Sequence, residues 1–146
     1  MKFFTKLSLL FTFSLFIILL MACQAEDIMK KVIGVTWIRS FEDDKEGTQA
    51  YRPETYDFPP ARGREGWRFE KDETLTKQVI APTDGYVSQR GKWNFYLKKD
   101  KAILDIILEI VQENIDKKQD EKVKKLSYEI VSASDSILFV KKLNEK

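Results

Sequence analysis

Apolar and polar side chains alternate in a series of short segments in the second half of the chain, and this pattern limits the fold most strongly. Trp67 and Phe69 alternate with charged residues, and Gly91–Leu97 repeats the pattern with Trp93, Phe95 and Leu97 on one face. Successive side chains of a strand point to opposite faces, so such alternation predicts strands with one buried face. Turn-forming residues separate the segments, which favours hairpins between neighbours in the sequence.

The remaining segments complete an all-β prediction. Ala102–Val111 suits a strand or an amphipathic helix, and its β-branched residues favour the strand. Val32–Phe41 is predicted as the first strand, and Val123–Ser132 with Ile137–Leu143 as a closing hairpin. Seven or eight antiparallel strands without a long helix predict an up-and-down barrel or a strongly curled sheet, because closure removes exposed strand edges.

The segment Tyr51–Gly66 does not fit the strand pattern. It contains three prolines and two glycines, which oppose a regular helix or a central strand. Its aromatic side chains carry apolar area that needs covering, so we expect an ordered loop folded against one end of the domain. Its arginines are expected to point at carboxylates or at a ligand. The predicted carboxylate partners are Asp57, Glu65 and Asp84.

The first 22 residues have the three-part layout of a secretory signal. Lys2 and Lys6 give a positive start, Leu7–Leu20 is apolar, and Ala22-Cys23 is a small-residue cleavage site. An uncleaved membrane span is the alternative, because about 20 apolar residues cross a bilayer. Serine and threonine dilute the run and favour the signal. The predicted divisions are a signal peptide (1–22), a tether (23–31) and a β-barrel domain (32–146).

The tetrad Leu20-Met21-Ala22-Cys23 ends the apolar run and contains the only cysteine. It resembles the lipobox of bacterial lipoproteins. The resemblance implies cleavage before Cys23, diacylation of its thiol and usually acylation of the new amine. Each acyl chain contributes about 0.8 kcal/mol per buried methylene, so two or three chains give lasting attachment. We therefore expect a domain anchored to a membrane of the bacterial cell envelope, outside the cytoplasm, and in the outer membrane where the host has one.

Composition excludes several classes of function. Removing residues 1–22 takes away two lysines and no acids, which leaves 23 basic and 23 acidic side chains. No cationic excess remains to hold phosphates, so we expect no nucleic-acid partner. The chain has no histidine, which excludes Ser-His-Asp and Cys-His catalysis and histidine metal sites. A carboxylate pair remains as catalytic chemistry, but no spacing of acids indicates one. We expect no enzyme, no metal and no cofactor.

Several short motifs are spread over most of the chain beyond residue 31. They are Gly34-Val35-Thr36-Trp37, Tyr51-Arg52-Pro53, Phe58–Gly66, Thr83-Asp84-Gly85, Gly91-Lys92-Trp93 and a terminal hairpin over 129–140. Together they resemble the small lipocalin-like lipoproteins of bacterial envelopes, a calycin-type fold. The resemblance implies a barrel or half-barrel with an apolar cup and no particular ligand. It also implies an arginine on the first-strand tryptophan, a role that falls to Arg62 or Arg64.

Two kinds of function fit these features. The first is binding of a small apolar or amphipathic ligand at the barrel mouth, bordered by the Tyr51–Gly66 loop. The alternative for the same residues is that the aromatic side chains fill the interior and the arginines form structural ion pairs. The second function is a non-enzymatic protein-interaction or inhibitor module that presents this loop to an envelope protein, because exposed Tyr and Arg favour interfaces. The candidate binding residues are Tyr51, Arg52, Tyr56, Arg62, Arg64, Trp67 and Trp93.

Overall fold

The computed structural model describes residues 26–82, 85–110 and 122–143. Eight antiparallel strands form one closed barrel, which confirms the predicted all-β fold and the strand number. The strands are β1 Thr36–Arg39, β2 Gln49–Pro53, β3 Gly66–Phe69, β4 Thr74–Ile80, β5 Tyr86–Lys98, β6 Lys101–Ile110, β7 Lys122–Ala133 and β8 Leu138–Leu143. The predicted signal peptide, Cys23 and the predicted turn residues Thr83 and Asp84 lie outside the described residues.

The strand order contains one crossover. From β3 to β8 each strand pairs with the next, as in an up-and-down barrel, but β1 lies between β2 and β3, and β2 closes the barrel against β8. Since β2 and β3 are both antiparallel to β1, they run in the same direction. Residues 54–65 therefore carry the chain from one end of the barrel back to the other. We call this segment the crossover loop.

The crossover loop is shorter than the sequence predicted. Tyr51 and Arg52 belong to β2, and Gly66 begins β3, so the prediction of a loop over Tyr51–Gly66 was wrong at both ends. Pro53 is compatible with a strand here because it is the last residue of β2. Proline has no N–H to donate to a neighbouring strand. β8 begins with Leu138, which lies opposite Tyr51, so no residue of β8 lies opposite Pro53 and no hydrogen bond to β8 is lost.

Large apolar side chains fill the barrel. Trp37 is fully buried, and Phe69, Leu75 and Leu104 are each 1% exposed. The rings meet edge to face, as in the Phe69 and Trp93 pair with centroids 5.7 Å apart, an arrangement that aromatic quadrupoles favour. The cavity left in the interior measures about 10 Å³, which is at most the space of one water molecule. The aromatic side chains therefore fill the interior, which was the predicted alternative to an open ligand cavity in the barrel.

A helical segment, residues 26–32, closes one end of the barrel. Ile28 and Met29 pack against the core and Val32 is fully buried, so the described part of the predicted tether is packed rather than free. Trp37 Nε1 donates a hydrogen bond to the Val32 oxygen at 3.0 Å. Gly34, with φ of +78°, makes the turn into β1, which is why β1 is shorter than the predicted strand. No helix among the described residues is long and apolar enough to cross a membrane.

Gly91 lies within β5, a strand of 13 residues that begins five residues before the predicted segment Gly91–Leu97. A Cβ atom at Gly91 would lie 2.3 Å from the backbone oxygen of Ile107 on β6. The absence of a side chain at Gly91 therefore lets β5 and β6 approach closely.

Candidate functional site

A cup opens at the end of the barrel opposite the helical segment. It has a volume of about 440 Å³ and lies where β1, β4 and β8 end and where β2, β3 and β7 begin. Its lining residues come from these strands and from the β1–β2 connection. They are Arg39, Phe41, Gln49, Tyr51, Glu65, Trp67, Lys77, Ile80, Lys124, Leu126, Tyr128 and Lys142.

Three aromatic side chains form the floor of the cup. Tyr51 and Trp67 are 5% exposed and Tyr128 is 6% exposed. Trp67 lies edge-on to Tyr51 at 5.9 Å and to Tyr128 at 5.1 Å between ring centroids. The same three rings border the filled interior, so they separate the cup from the core. Burial raises the pKa of both tyrosine hydroxyls, which keeps them neutral hydrogen-bonding groups at neutral pH.

The indole nitrogen of Trp67 has no hydrogen-bond partner. Among the described residues it is the one buried side-chain nitrogen or oxygen in that condition. By contrast, the other two tryptophans donate to backbone oxygens, Trp37 to Val32 and Trp93 to Glu70. An unpaired buried donor costs about 1–3 kcal/mol, and Trp67 bears this cost where the floor of the cup meets the filled interior.

Charged side chains occupy the upper part of the cup. Lys77, whose side chain is 13% exposed, pairs with Glu65 at 3.1 Å and lies 5.8 Å from the centre of the Trp67 ring. Lys124 and Lys142 lie on the inner faces of β7 and β8, because they are two residues from the inward Leu126 and Val140. The cup therefore combines an aromatic floor with a polar, mainly cationic wall.

A second depression of about 500 Å³ runs along β7 and β8 next to the cup. It shares Lys124, Leu126 and Lys142 with the cup, but its other residues are Val123, Lys125, Ser127 and Leu143. Three of these four side chains are on the opposite face of β7 from Leu126. It lacks an aromatic floor, so the cup is the better candidate site.

Three arginines bind three consecutive acids beside the cup. The pairs are Arg64 with Glu42, Arg52 with Asp43, and Arg39 with Asp44. Two of the acids belong to the 3₁₀ turn Phe41–Asp43, which follows β1. We call these six residues the arginine clamp. Hydrogen bonds from the arginines lower the pKa of each of the three carboxyl groups, which shows that the clamp favours their charged forms.

Arg64 ties the end of the crossover loop to the clamp. Its two terminal nitrogens bind both carboxylate oxygens of Glu42 at 2.9 Å. They also donate to the backbone oxygens of Arg39, at 2.9 Å, and of Pro59, at 3.0 Å. Bidentate arginine–carboxylate pairs are among the strongest hydrogen-bonded contacts in proteins. Arg64 thus holds the crossover loop, β1 and the 3₁₀ turn together.

Arg39 links the clamp to the wall of the cup. It binds both oxygens of Asp44 and donates to the Ala50 backbone oxygen at 2.9 Å. Its guanidinium lies 5.4 Å from the ring centre of Tyr51, on the floor, and 4.8 Å from that of Phe41. Phe41 is 52% exposed at the rim, so the clamp fixes an aromatic side chain that would otherwise be free to move.

The seven predicted binding residues do not form one site. Tyr51 and Trp67 line the cup, whereas Trp93 is buried deeper in the barrel against Phe69. Tyr56 is exposed on the crossover loop, where its ring packs edge-on against Phe58 and beneath Arg52. Arg62 is exposed and makes no hydrogen bond or ion pair with any residue that the structure describes.

The predicted partners of the arginines were wrong. Arg52 and Arg64 bind Asp43 and Glu42 rather than Asp57 or Glu65, and Asp84 lies outside the described residues. The acids of the β1–β2 connection are closer in space because the crossover loop returns along β1. Neither predicted arginine packs on Trp37: Arg64 stacks on Phe58 at 4.8 Å from the ring centre, and Arg62 is exposed.

The cationic wall was not predicted as a site, although the sequence contains its signal. The buried alternation Leu126, Tyr128, Ile130 extends backwards to Lys124, and the alternation Leu138, Val140 extends forwards to Lys142. A lysine that falls in the inward register of a strand is unusual in a filled barrel. The signal for the cationic wall was the position of each lysine in the strand register, and not the presence of a lysine alone.

The described residues 26–82, 85–110 and 122–143 contain no group of three or more histidine, cysteine or acidic side chains arranged to hold a metal ion. No protein-family model, curated protein or solved structure matches the chain at a significant level. The fold and the cup therefore define the class of protein only as a closed eight-stranded antiparallel barrel with an end-on cavity.

Replacing Arg64 with glutamine should destabilise the barrel, whereas Arg62→Gln should not. Arg64→Gln leaves the buried Arg39 oxygen and the partly buried Pro59 oxygen without their guanidinium donor, which costs about 1–3 kcal/mol. Arg62 is exposed on the same loop, so its change should stay within about 0.5 kcal/mol. Urea unfolding followed by circular dichroism measures both; equal midpoints for the two variants would contradict the role of the clamp.

Acid should weaken the clamp. The pKa values of Glu42, Asp43 and Asp44 are lower in the folded protein than their ordinary values of 4.5 for Glu and 3.8 for Asp. The unfolded chain therefore binds more protons, and this stabilisation is present above those values and is lost as the pH falls below them. In Asp43→Asn one such group is removed, so the difference in free energy of unfolding between neutral pH and about pH 3 should be smaller than in the wild type. If this difference were as large in Asp43→Asn as in the wild type, the prediction would be contradicted.

Proposed function

We propose that this chain is a lipid-anchored lipoprotein of the bacterial cell envelope whose barrel binds a small amphipathic molecule in the cup. The observation that carries the binding proposal is the cup itself. Its volume of about 440 Å³ lies in the range of small-molecule sites, about 300–1,000 Å³. Because the interior of the barrel is filled, the ligand lies in the cup and not within the core.

The lining of the cup supports an amphipathic ligand over a purely apolar one. The floor of Tyr51, Trp67 and Tyr128 offers ring faces and edges to an apolar group. Lys124 and Lys142 in the wall are exposed to water and would need a polar partner once a ligand covers them. An apolar ligand would cover these groups without satisfying them, at a cost in desolvation. A molecule with one polar and one apolar part matches both regions.

The membrane attachment is supported by the sequence alone. Leu20-Met21-Ala22-Cys23 resembles a lipobox, and the positive and apolar segments before it match a secretory signal. An acylated Cys23 would place the barrel beside a membrane surface, from which an amphipathic molecule can be collected. The protein would thus act outside the cytoplasm, and in the outer membrane where the host has one.

The alternative function, a protein-interaction or inhibitor module, has less support. Two of the three arginines near the crossover loop, Arg52 and Arg64, are bound within the chain. Residues 54–57 and 59–62 of the crossover loop are exposed, Tyr56 and Arg62 among them. These exposed residues would have to supply most of the about 800 Å² that a stable protein interface needs from each partner.

Filling the cup should abolish ligand binding. At least one compound from a panel of fatty acids, fatty alcohols and aromatic acids should bind the wild-type protein. At a concentration of 100 times its Kd, it should raise the free energy of unfolding by about 2.7 kcal/mol. Leu126→Trp replaces a leucine that lines the cup with a larger side chain and should remove this shift. Leu97→Trp, at an exposed position of β5 away from the cup, is the matched control and should keep it. A panel without any stabilising ligand, or normal binding by Leu126→Trp, would refute the proposal.

Replacing Cys23 with alanine should leave an unprocessed precursor, because the acylated sulfur directs cleavage of the signal. Mass spectrometry of the wild-type protein should find a new amino terminus at Cys23 that carries acyl chains. Lys6→Gln keeps the cysteine and serves as the control for expression and export. An intact wild-type amino terminus with an unmodified Cys23 thiol would show that the anchor is not formed.

A further inference from the structure

We infer that the ligand of the cup is an organic anion whose charged group is held by Lys124 and Lys142. This inference rests on the proposed function, since it names the chemistry of a ligand in the same cup. It depends on the charge of the inward side chains: Lys124 and Lys142 line the cup and have no carboxylate partner among the described residues.

The strand register directs both lysines into the cup. On β7, Leu126, Tyr128 and Ile130 are buried, and Lys124 continues their face by one further step of two residues. On β8, Val140 is buried and Lys142 stands two residues beyond it, paired with Tyr128. Both side chains line the cup. Their neighbours Lys125 and Lys141 lie on the outer face, where lysine is expected.

The described residues do not balance the charge of the cup. Arg39 is paired with Asp44, and Lys77 with Glu65. Within the part of the chain that the structure describes, no carboxylate oxygen lies within 4.0 Å of the Lys124 or Lys142 ammonium group. Lys101, by comparison, pairs with Glu129 at 2.9 Å on the outside of the barrel. An anionic ligand in the cup would give these two lysines the carboxylate or sulfonate partner that no described residue supplies.

The floor adds an apolar contact beside these lysines. Trp67 is 5% exposed and its ring lines the cup, so the apolar part of a ligand can lie against it while the charged part meets the wall. Lysine ammonium groups act as point charges without a fixed fork geometry, so the cup should accept carboxylates and sulfonates alike.

Two dyes that differ only in a charged group test the inference. 8-Anilino-1-naphthalenesulfonate is an anion, and N-phenyl-1-naphthylamine is the same ring system without the sulfonate. Fluorescence titration of the native protein at neutral pH should give tighter binding of the anionic dye. Lys124→Gln combined with Lys142→Gln should raise the Kd of the anionic dye at least about 10-fold and leave that of the neutral dye within about 2-fold. Lys125→Gln combined with Lys141→Gln changes the net charge equally on the outer face and is the matched control.

The outcomes separate this inference from the function on which it rests. If the neutral dye binds the cup and the anionic dye has no preference, the inference about charge is wrong and the binding function stands. If both double variants weaken the anionic dye equally, the effect is the general charge of the surface, which also overturns the inference. If neither dye binds saturably, or if Leu126→Trp binds both dyes as the wild type does, the cup is not the binding site and both proposals fail.

Discussion

The arginine clamp is the interaction on which the rest of this barrel depends. β1 has only four residues and lies between β2 and β3, so its backbone pairing alone gives little area with which to close the barrel. Arg39, at its end, and Arg64, at the end of the crossover loop, bind the acids that follow β1. These guanidinium groups also donate to the backbone oxygens of Ala50 and Arg39, so they add hydrogen bonds to the short backbone pairing of β1. Closure at this point is therefore electrostatic as much as hydrophobic.

The filled interior determines where a ligand site can exist. Barrels of eight strands are just wide enough for side chains to fill them, and small residues are needed if a ligand is to enter. Here the inward positions carry tryptophan, phenylalanine, tyrosine and leucine, which leaves about 10 Å³. The inward alternation continues beyond this core, however, and there the side chains become charged. The change from aromatic to cationic residues along the same strand faces marks the boundary between structure and site.

Local sequence patterns predicted the strands well and their spatial order less well. The strand predicted over Ala102–Val111 was confirmed as far as Ile110, since Val111 lies outside the described residues, and the closing hairpin was confirmed as well. β-Branching and alternation act within a few residues, which is why these predictions succeeded. The crossover was not predicted, since the position of β1 between β2 and β3 depends on contacts distant in sequence. The predicted partners of Arg52 and Arg64 were wrong because residues 42–44 have the composition of a solvated turn. Arg52 meets Asp43 across the β1–β2 connection, and the return of the crossover loop brings Arg64 to Glu42.

The inward lysines mark where the core of the barrel ends. Lys124 and Lys142 continue the inward faces of β7 and β8, yet both are exposed, so water solvates their ammonium groups, for which no described residue supplies a carboxylate. Lys77 differs because its side chain is only 13% exposed, and Glu65 pairs with it at 3.1 Å; a lysine that is mostly buried must be paired. Along the inward faces that the structure describes, the cup thus changes from a paired lysine beside Trp67 to hydrated lysines at the ends of β7 and β8.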